Sequence, residues 1–291
     1  MTLTPLQGTD RLPLTCTRLG TCCHGHQIFI SPWELARLAR GLGLAPRAFR
    51  EKYTDCGGTR LLFDGPPGTL GPPEHHKPSC ALYRAEGGCS VHADRPLACR
   101  LYPLGRQRHE GAIRYFHPGS ELPCIRLCPT VTELPAQSVA EYLAGQDPAS
   151  GELAHDAYAR LAYGMVQAAA LISREGRLDR APLAAFFQAG AALVPAERAA
   201  RVPPGWLEQL TAPPLAELID DPEAFVAAHG QRLADAIQRT FAAGSAADLT
   251  AAARTYLTLA LHVGPTVGAD IAVMGQVLEG TLGGGTSDQG P

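Results

Sequence analysis

The chain holds nine cysteines, all within its first 128 residues: Cys16, Cys22, Cys23, Cys56, Cys80, Cys89, Cys99, Cys124 and Cys128. Residues 129–291 contain none. Thiols crowded into one region serve disulfides, metal or redox chemistry, and each of these ties distant segments together. Disulfides fit poorly. A secreted disulfide scaffold is small, has an even cysteine count and follows a signal peptide. This chain has 291 residues and an odd count, and a chain of that length can bury a core without staples. Its first ten residues form neither a basic n-region nor an apolar h-region, so a cytoplasmic location with reduced thiols is expected. Cys22 and Cys23 are adjacent, and neighbouring side chains of an ordinary helix or strand diverge. The pair therefore suits two ligands wrapped around a small ion by a tight turn. Cys56 is the first candidate for a plain buried cysteine, which behaves as a small hydrophobe.

Charge follows the same division as the thiols. Residues 1–130 carry 16 Lys+Arg and 10 Asp+Glu, net +6, whereas the remainder carries 9 and 18, net −9. The surplus arginines are either solvated surface residues or offset bundled thiolates. No aromatic-interleaved basic stripe is present, so nucleic acid is not an expected partner. No uninterrupted apolar run reaches the roughly 20 residues of a membrane span.

The expected fold is mainly α, with an irregular, metal-nucleated, cysteine-rich domain over 1–130 packed on an all-helical region over 131–282. The tail 283–291 is expected to be disordered. In the first part, Ser31-Pro32-Trp33-Glu34 is a capping box with proline at the first helical position. Leu35, Leu38, Ala39 and Leu42 follow at helical spacing, and Gly41 and Gly43 end the helix. Pro46 opens another, with Phe49 and Tyr53 on one face. Beyond residue 130, helices are predicted over 135–144, 152–174, 181–193, 222–243 and 246–282, the last broken at Gly264-Pro265.

Two clusters carry the chemistry. In the first, Cys16-Thr-Arg-Leu19-Gly-Thr-Cys22-Cys23-His24, Gly20 and Gly25 permit a backbone that turns side chains inward. The second runs from Cys80 through Gly87-Gly88-Cys89 to Cys99. Its double glycine predicts a short hairpin that brings Cys80 and Cys89 together. Cys124 and Cys128 supply one or two further thiols. His24 and His92 are candidate fourth ligands, since neutral imidazole suits zinc; hydrogen-bonding or surface roles serve them equally well. Arg95 and Arg100 either bind a substrate or cofactor anion or, more simply, neutralise thiolates or pair with Asp94 or Glu86. Tyr102 reads as a packed tyrosine with its hydroxyl bonded. No G-x-G-x-x-G nucleotide loop is present.

The segment Arg95-Pro96-Leu97-Ala98-Cys99-Arg100-Leu101-Tyr102-Pro103, with Cys89 ahead of it and a Cys-Cys pair upstream, resembles the YkgJ-type cysteine-cluster proteins. The resemblance covers Cys16 to about Cys128 and implies a zinc- or iron-chelating domain. It gives the metal ligands as Cys16, Cys22, Cys23, Cys80, Cys89, Cys99, Cys124 and Cys128. The family's first motif is Cys-x-x-Cys-x-x-Cys-Cys, and here Leu19 stands where its second cysteine would be, which removes one ligand.

Two cofactors remain open. Structural zinc usually shows Cys-x-x-Cys knuckles, of which the chain has none. Iron–sulfur clusters, [4Fe–4S] included, accept thiolates from irregularly spaced loops. The spacing therefore favours an iron–sulfur protein with a redox or enzymatic role. The alternative is structural or metal-handling zinc, with the helical half as a surface for a protein partner.

Overall fold

The computed structural model describes residues 4–15, 20–68, 76–109, 112–119, 122–126 and 129–283. Cys16, Leu19, Cys128 and the expected disordered tail from residue 284 onward lie outside the described residues. Cys124 is described by its backbone alone.

Helices dominate, and most begin where the sequence places a cap. Helix α1 (Pro32–Gly41) opens on Ser31: the Glu34 amide donates to Ser31 Oγ at 3.2 Å, and the Ser31 amide donates to the Glu34 carboxylate at 2.7 Å. Such a box satisfies two orphan amides and is worth about 1 kcal/mol. Helix α2 (Pro46–Tyr53) follows, again with proline at its first turn and Phe49 fully buried. The short helices α3 (Leu97–Leu101) and α4 (Pro123–Arg126) come next. Helix α5 (Val139–Gln146) starts later than the predicted residue 135, because Ser138 and Glu141 form the capping box there. Residues 137–138 instead pair as a strand with Arg11–Leu12. Then come α6 (Ala149–Glu175), α7 (Arg180–Ala191), α8 (Pro195–Arg201), α9 (Pro204–Thr211), α10 (Pro222–Thr240), α11 (Ala246–Val263) and α12 (Ile271–Gly283). The expected break at Gly264-Pro265 is real, since a 3-10 turn over Gly264–Val267 separates α11 from α12.

By contacts the chain forms two units, Met1–Ile28 with Leu61–Gly151, and Phe29–Arg60 with Glu152–Gly290. The second has one large core in which Trp33 and Ala36 of α1 join Tyr158, Phe187, Phe225, Leu233 and Leu257. Several of its buried polar groups are paired. Trp33 Nε1–H donates to the Ile219 carbonyl at 2.9 Å. His229 faces the Gln209 carbonyl with Nε2 at 2.9 Å, so Nε2 carries the proton and Nδ1 accepts from the Tyr158 hydroxyl, also at 2.9 Å. His155 Nε2 lies 2.8 Å from the Glu34 carboxylate. Cys56 belongs to this unit and is 8% exposed.

The first unit is irregular. One apolar cluster in it consists of Leu14, Leu104, Val139 and Tyr142, with Leu6, Leu12 and Leu143 against it, and Leu82, Leu97 and Leu101 are buried elsewhere in the unit. An antiparallel hairpin, Gly105–His109 with Ala112–Phe116, is its longest strand pair and was not expected from the sequence. Among the described residues no helix is long and apolar enough to cross a membrane.

Candidate metal centre

The cysteine site is assembled from the backbone of the first unit. Gly20 adopts φ +74°, a left-handed conformation that costs an L-residue dearly. A Cβ there would also fall 2.7 Å from Tyr83 Cε2. The chain then winds through a 3-10 turn, Thr21–Cys23, closed by the Cys23 amide donating to the Gly20 carbonyl at 2.8 Å. This tight turn turns two consecutive thiols inward, as the adjacency of Cys22 and Cys23 required.

The Cys80 segment attaches directly to that turn. Its amide donates to the Cys23 carbonyl at 2.7 Å, and the Gly25 amide donates to the Pro78 carbonyl at 3.0 Å. Beyond Cys80 the predicted hairpin forms: Tyr83–Arg84 pairs antiparallel with Gly88–Cys89, placing Tyr83 opposite Cys89. Gly87 and Gly88 both take positive φ in its turn. The Tyr83 amide donates to the Cys80 carbonyl at 2.9 Å, so the hairpin returns Cys89 towards Cys80. Cys99 rides on α3, whose first turn is set by Pro96 and closed by the Cys99 amide on the Pro96 carbonyl at 3.0 Å. Helix α4, which carries Cys124, lies against the Thr21–Cys23 turn.

The thiols act on one another. Cys22 is lowered to about 7, first by a hydrogen bond from the Cys23 thiol, against burial and aided by Arg95. Cys23 is raised, first by that bond, then by burial and by the charges of Cys22, Cys89 and Cys99. Burial pushes Cys80 up, with the charges of Cys89 and Cys22 adding to it. Cys89 and Cys99 are likewise raised by burial, with Cys22 contributing and Arg95 opposing. Cys22, Cys23, Cys80, Cys89 and Cys99 therefore share one electrostatic environment in which a single thiolate is readily formed. Bringing several thiolates together there requires a positive partner.

Arg95 supplies part of that charge. It is anchored by Nε–H on the His92 carbonyl and Nη2–H on Gln146 Oε1, each at 3.0 Å. Arg100 does a different job. It donates to the carbonyls of Arg95 at 3.0 Å and Gln146 at 2.8 Å, and also to that of Ala93. Its guanidinium thus cross-links the Pro96 turn to the end of α5. Tyr142 extends the link by donating to the Tyr102 carbonyl. The Tyr102–Pro103 peptide is cis.

Histidines border the site. His24 Nδ1–H faces the Gly20 carbonyl at 2.8 Å, which leaves Nε2 with its lone pair. A ligating histidine is oriented in the same way, by a carbonyl on its other nitrogen. The ring stands edge-on to Tyr83 with centroids 5.0 Å apart. His26 drew no attention in the sequence, where only its place two residues after His24 marked it. Its Nε2 is buried with no hydrogen-bond partner, and its ring is edge-on to Tyr102 at 5.3 Å. Burial, then the charge of His24, pushes its pKa down. His92 is exposed.

Residues 15–116 match the CxxCxxCC family, described as "Putative zinc- or iron-chelating domain". The cysteine-cluster resemblance is borne out over this segment, which contains Cys22, Cys23, Cys80, Cys89 and Cys99 and supports metal binding. No curated protein and no solved structure matches the chain. The donor chemistry fits the chelating description: thiolate sulfurs with imidazole nearby select zinc, iron or iron–sulfur centres. Among the described residues, no three His, Cys, Asp or Glu side chains already converge tightly enough to hold an ion. Cys16 and Cys128 are outside that set, and the side chain of Cys124 is not described.

Proposed function

We propose that the first unit holds an iron–sulfur cluster through cysteine thiolates and serves a redox or enzymatic role in the cytoplasm. The observation that carries this reading is the grouping of Cys22, Cys23, Cys80, Cys89 and Cys99, whose thiols perturb one another. Five thiols exceed the four that a structural zinc site takes, and none is spaced as a zinc knuckle. Cys16, Cys124 and Cys128 complete the ligand set, and Arg95 moderates its negative charge. A bound cluster would supply one-electron chemistry or an open iron site. Arg100, through Gln146, holds the Cys99 turn in place, and Tyr83 seats the Gly20 turn.

Zinc is the second reading, because the matched family description gives zinc and iron equal standing. The site would then staple an irregular fold, and the helical unit would be the working part, offering a surface to a protein partner.

Elemental analysis for iron, zinc and acid-labile sulfide, with a visible spectrum of protein purified without oxygen, separates the two. Iron with sulfide and broad brown absorbance supports the cluster. Zinc in colourless protein replaces it with the structural reading. Protein with neither, even after anaerobic reconstitution with iron and sulfide or with zinc, defeats both.

A further inference from the structure

Arg198 is an uncommon residue to find inside a helical core. It is 9% exposed, and its Nε is buried with no hydrogen-bond partner. Among the described residues it makes no ion pair, and burial lowers its pKa. Withdrawing part of a guanidinium from water without an anion beside it is costly. Such a charge is retained where something neutralises it.

Arg198 lines a small recess together with Phe186, Arg201, Thr258 and Leu261. Arg201 and Thr258 also line an open groove of about 660 Å³ along α11, floored by Pro203, Ala247 and Ala251 and bordered by Arg254. That volume suits a small organic molecule. Arg254 lies over the Phe186 ring at 5.3 Å, and neither it nor Arg201 has a carboxylate partner among the described residues. No acidic residue lines the groove. The nearest acidic side chains in sequence are committed to helix caps: Asp248 accepts from the Ser245 amide and hydroxyl, and Glu197 from the Val194 amide. The hydroxyl protons of Thr250, Thr255 and Thr258 are donated to carbonyls of their own helix. Arg201 and Arg254 are therefore the polar donors left to a ligand along the groove, with Arg198 in the adjoining recess, while alanine, proline and threonine methyls supply an apolar floor. This collects positive charge on a stretch of chain, residues 131–291, whose net charge is −9.

We propose that the groove between α8 and α11 binds an apolar monocarboxylate, its carboxylate at Arg198 and Arg201 and its hydrocarbon body along Ala247 and Ala251. A guanidinium fork matches a carboxylate bidentately, and the apolar floor is wasted on an inorganic anion.

Calorimetric titration of the full chain with octanoate, 1-octanol and inorganic phosphate tests this. Octanoate is expected to bind at one site and to raise the melting temperature, with octanol and phosphate at least tenfold weaker. Arg201→Gln, an exposed change that leaves the core intact, weakens octanoate at least tenfold. Arg198→Met abolishes the octanoate-induced rise in melting temperature while leaving the ligand-free protein at least as stable, because a buried unpaired charge is gone. No octanoate binding, phosphate or octanol binding as tight as octanoate, or an Arg201→Gln variant with unchanged affinity would each overturn the proposal.

Discussion

Single positions decide whether the thiols can meet. At Gly20 two demands coincide, a φ of +74° and a Cβ position 2.7 Å from Tyr83 Cε2. Gly20→Ala should therefore destabilise the first unit by about 1–3 kcal/mol from backbone strain alone, with the ring clash added. Bound metal, measured after gel filtration, should fall with it. In a Tyr83→Ala background the same change should cost less, because only the backbone strain persists, and a double-mutant cycle measures the difference. The ligand set is tested by truncation. Cys23→Ala and Cys99→Ala should each abolish metal retention, while Cys56→Ala should retain the metal and lower only the melting temperature, as cavity formation does. Full occupancy in the Cys99→Ala protein would remove that residue from the set. At these positions the sequence was most readable: the vicinal pair demanded a tight turn, and Gly87-Gly88 demanded a hairpin. The partners of Arg100 were not readable. They are backbone carbonyls some 46 residues away in the case of Gln146, and a carbonyl leaves no mark in the sequence.

Among the elements, α10 and α11 carry the histidines that respond to acid. His229 on α10 and His262 on α11 are 0% and 2% exposed, and burial drives each from 6.5 to about 4, with Arg232 and Arg198 respectively opposing protonation further. A histidine whose folded pKa lies below its unfolded value contributes its full stability above about pH 6.5 and loses it as pH falls towards 4. The loss is on the order of 3 kcal/mol per histidine by pH 4. Urea midpoints should therefore fall steeply between pH 6.5 and 4, with proton uptake on unfolding, and the slope should flatten in His229→Gln/His262→Gln. Tyr158→Phe, which leaves His229 Nδ1 without its donor, should cost about 1–3 kcal/mol at neutral pH. The helices themselves were largely legible, because Ser31, Pro46, Pro222 and Ser245 announce their starts and Gly264-Pro265 announces a break. Helices α8 and α9 were missed. Each is eight residues or fewer, too short for an apolar period to stand out, and the prolines at 203–204 read as loop. The hairpin Gly105–His109 with Ala112–Phe116 was missed because its strands are half polar and exposed, so no buried face imposes alternation.

Across the whole molecule, the two units differ in what holds each of them together. The second has an extensive apolar core of fully buried aromatic and aliphatic residues, and nothing in its interior calls for a metal. The first has smaller apolar clusters, such as Leu14 with Leu104, Val139 and Tyr142, strand pairs mostly two residues long and several glycine turns. A metal bound at the cysteine site would add its binding free energy to the folding of this unit. Composition alone marked a basic, thiol-rich part and an acidic, helical part. It could not show that α1 and α2, inside the basic stretch, gather with the later helices, because Trp33 and Ala36 of α1 enter a core whose other members lie more than 100 positions downstream. Metal removal should therefore act on one unit only. After incubation with a chelator under reducing conditions, the first unit should lose amide protection at Cys80, Tyr83 and Cys89. The amides of α6, α10 and α11 should keep theirs, and most of the helical circular dichroism should persist. Hydrogen exchange read by mass spectrometry resolves the two sets. Equal loss in both would mean that the second unit also depends on the metal, and protection of the Cys80–Cys89 hairpin without metal would mean that backbone pairing alone sustains the first.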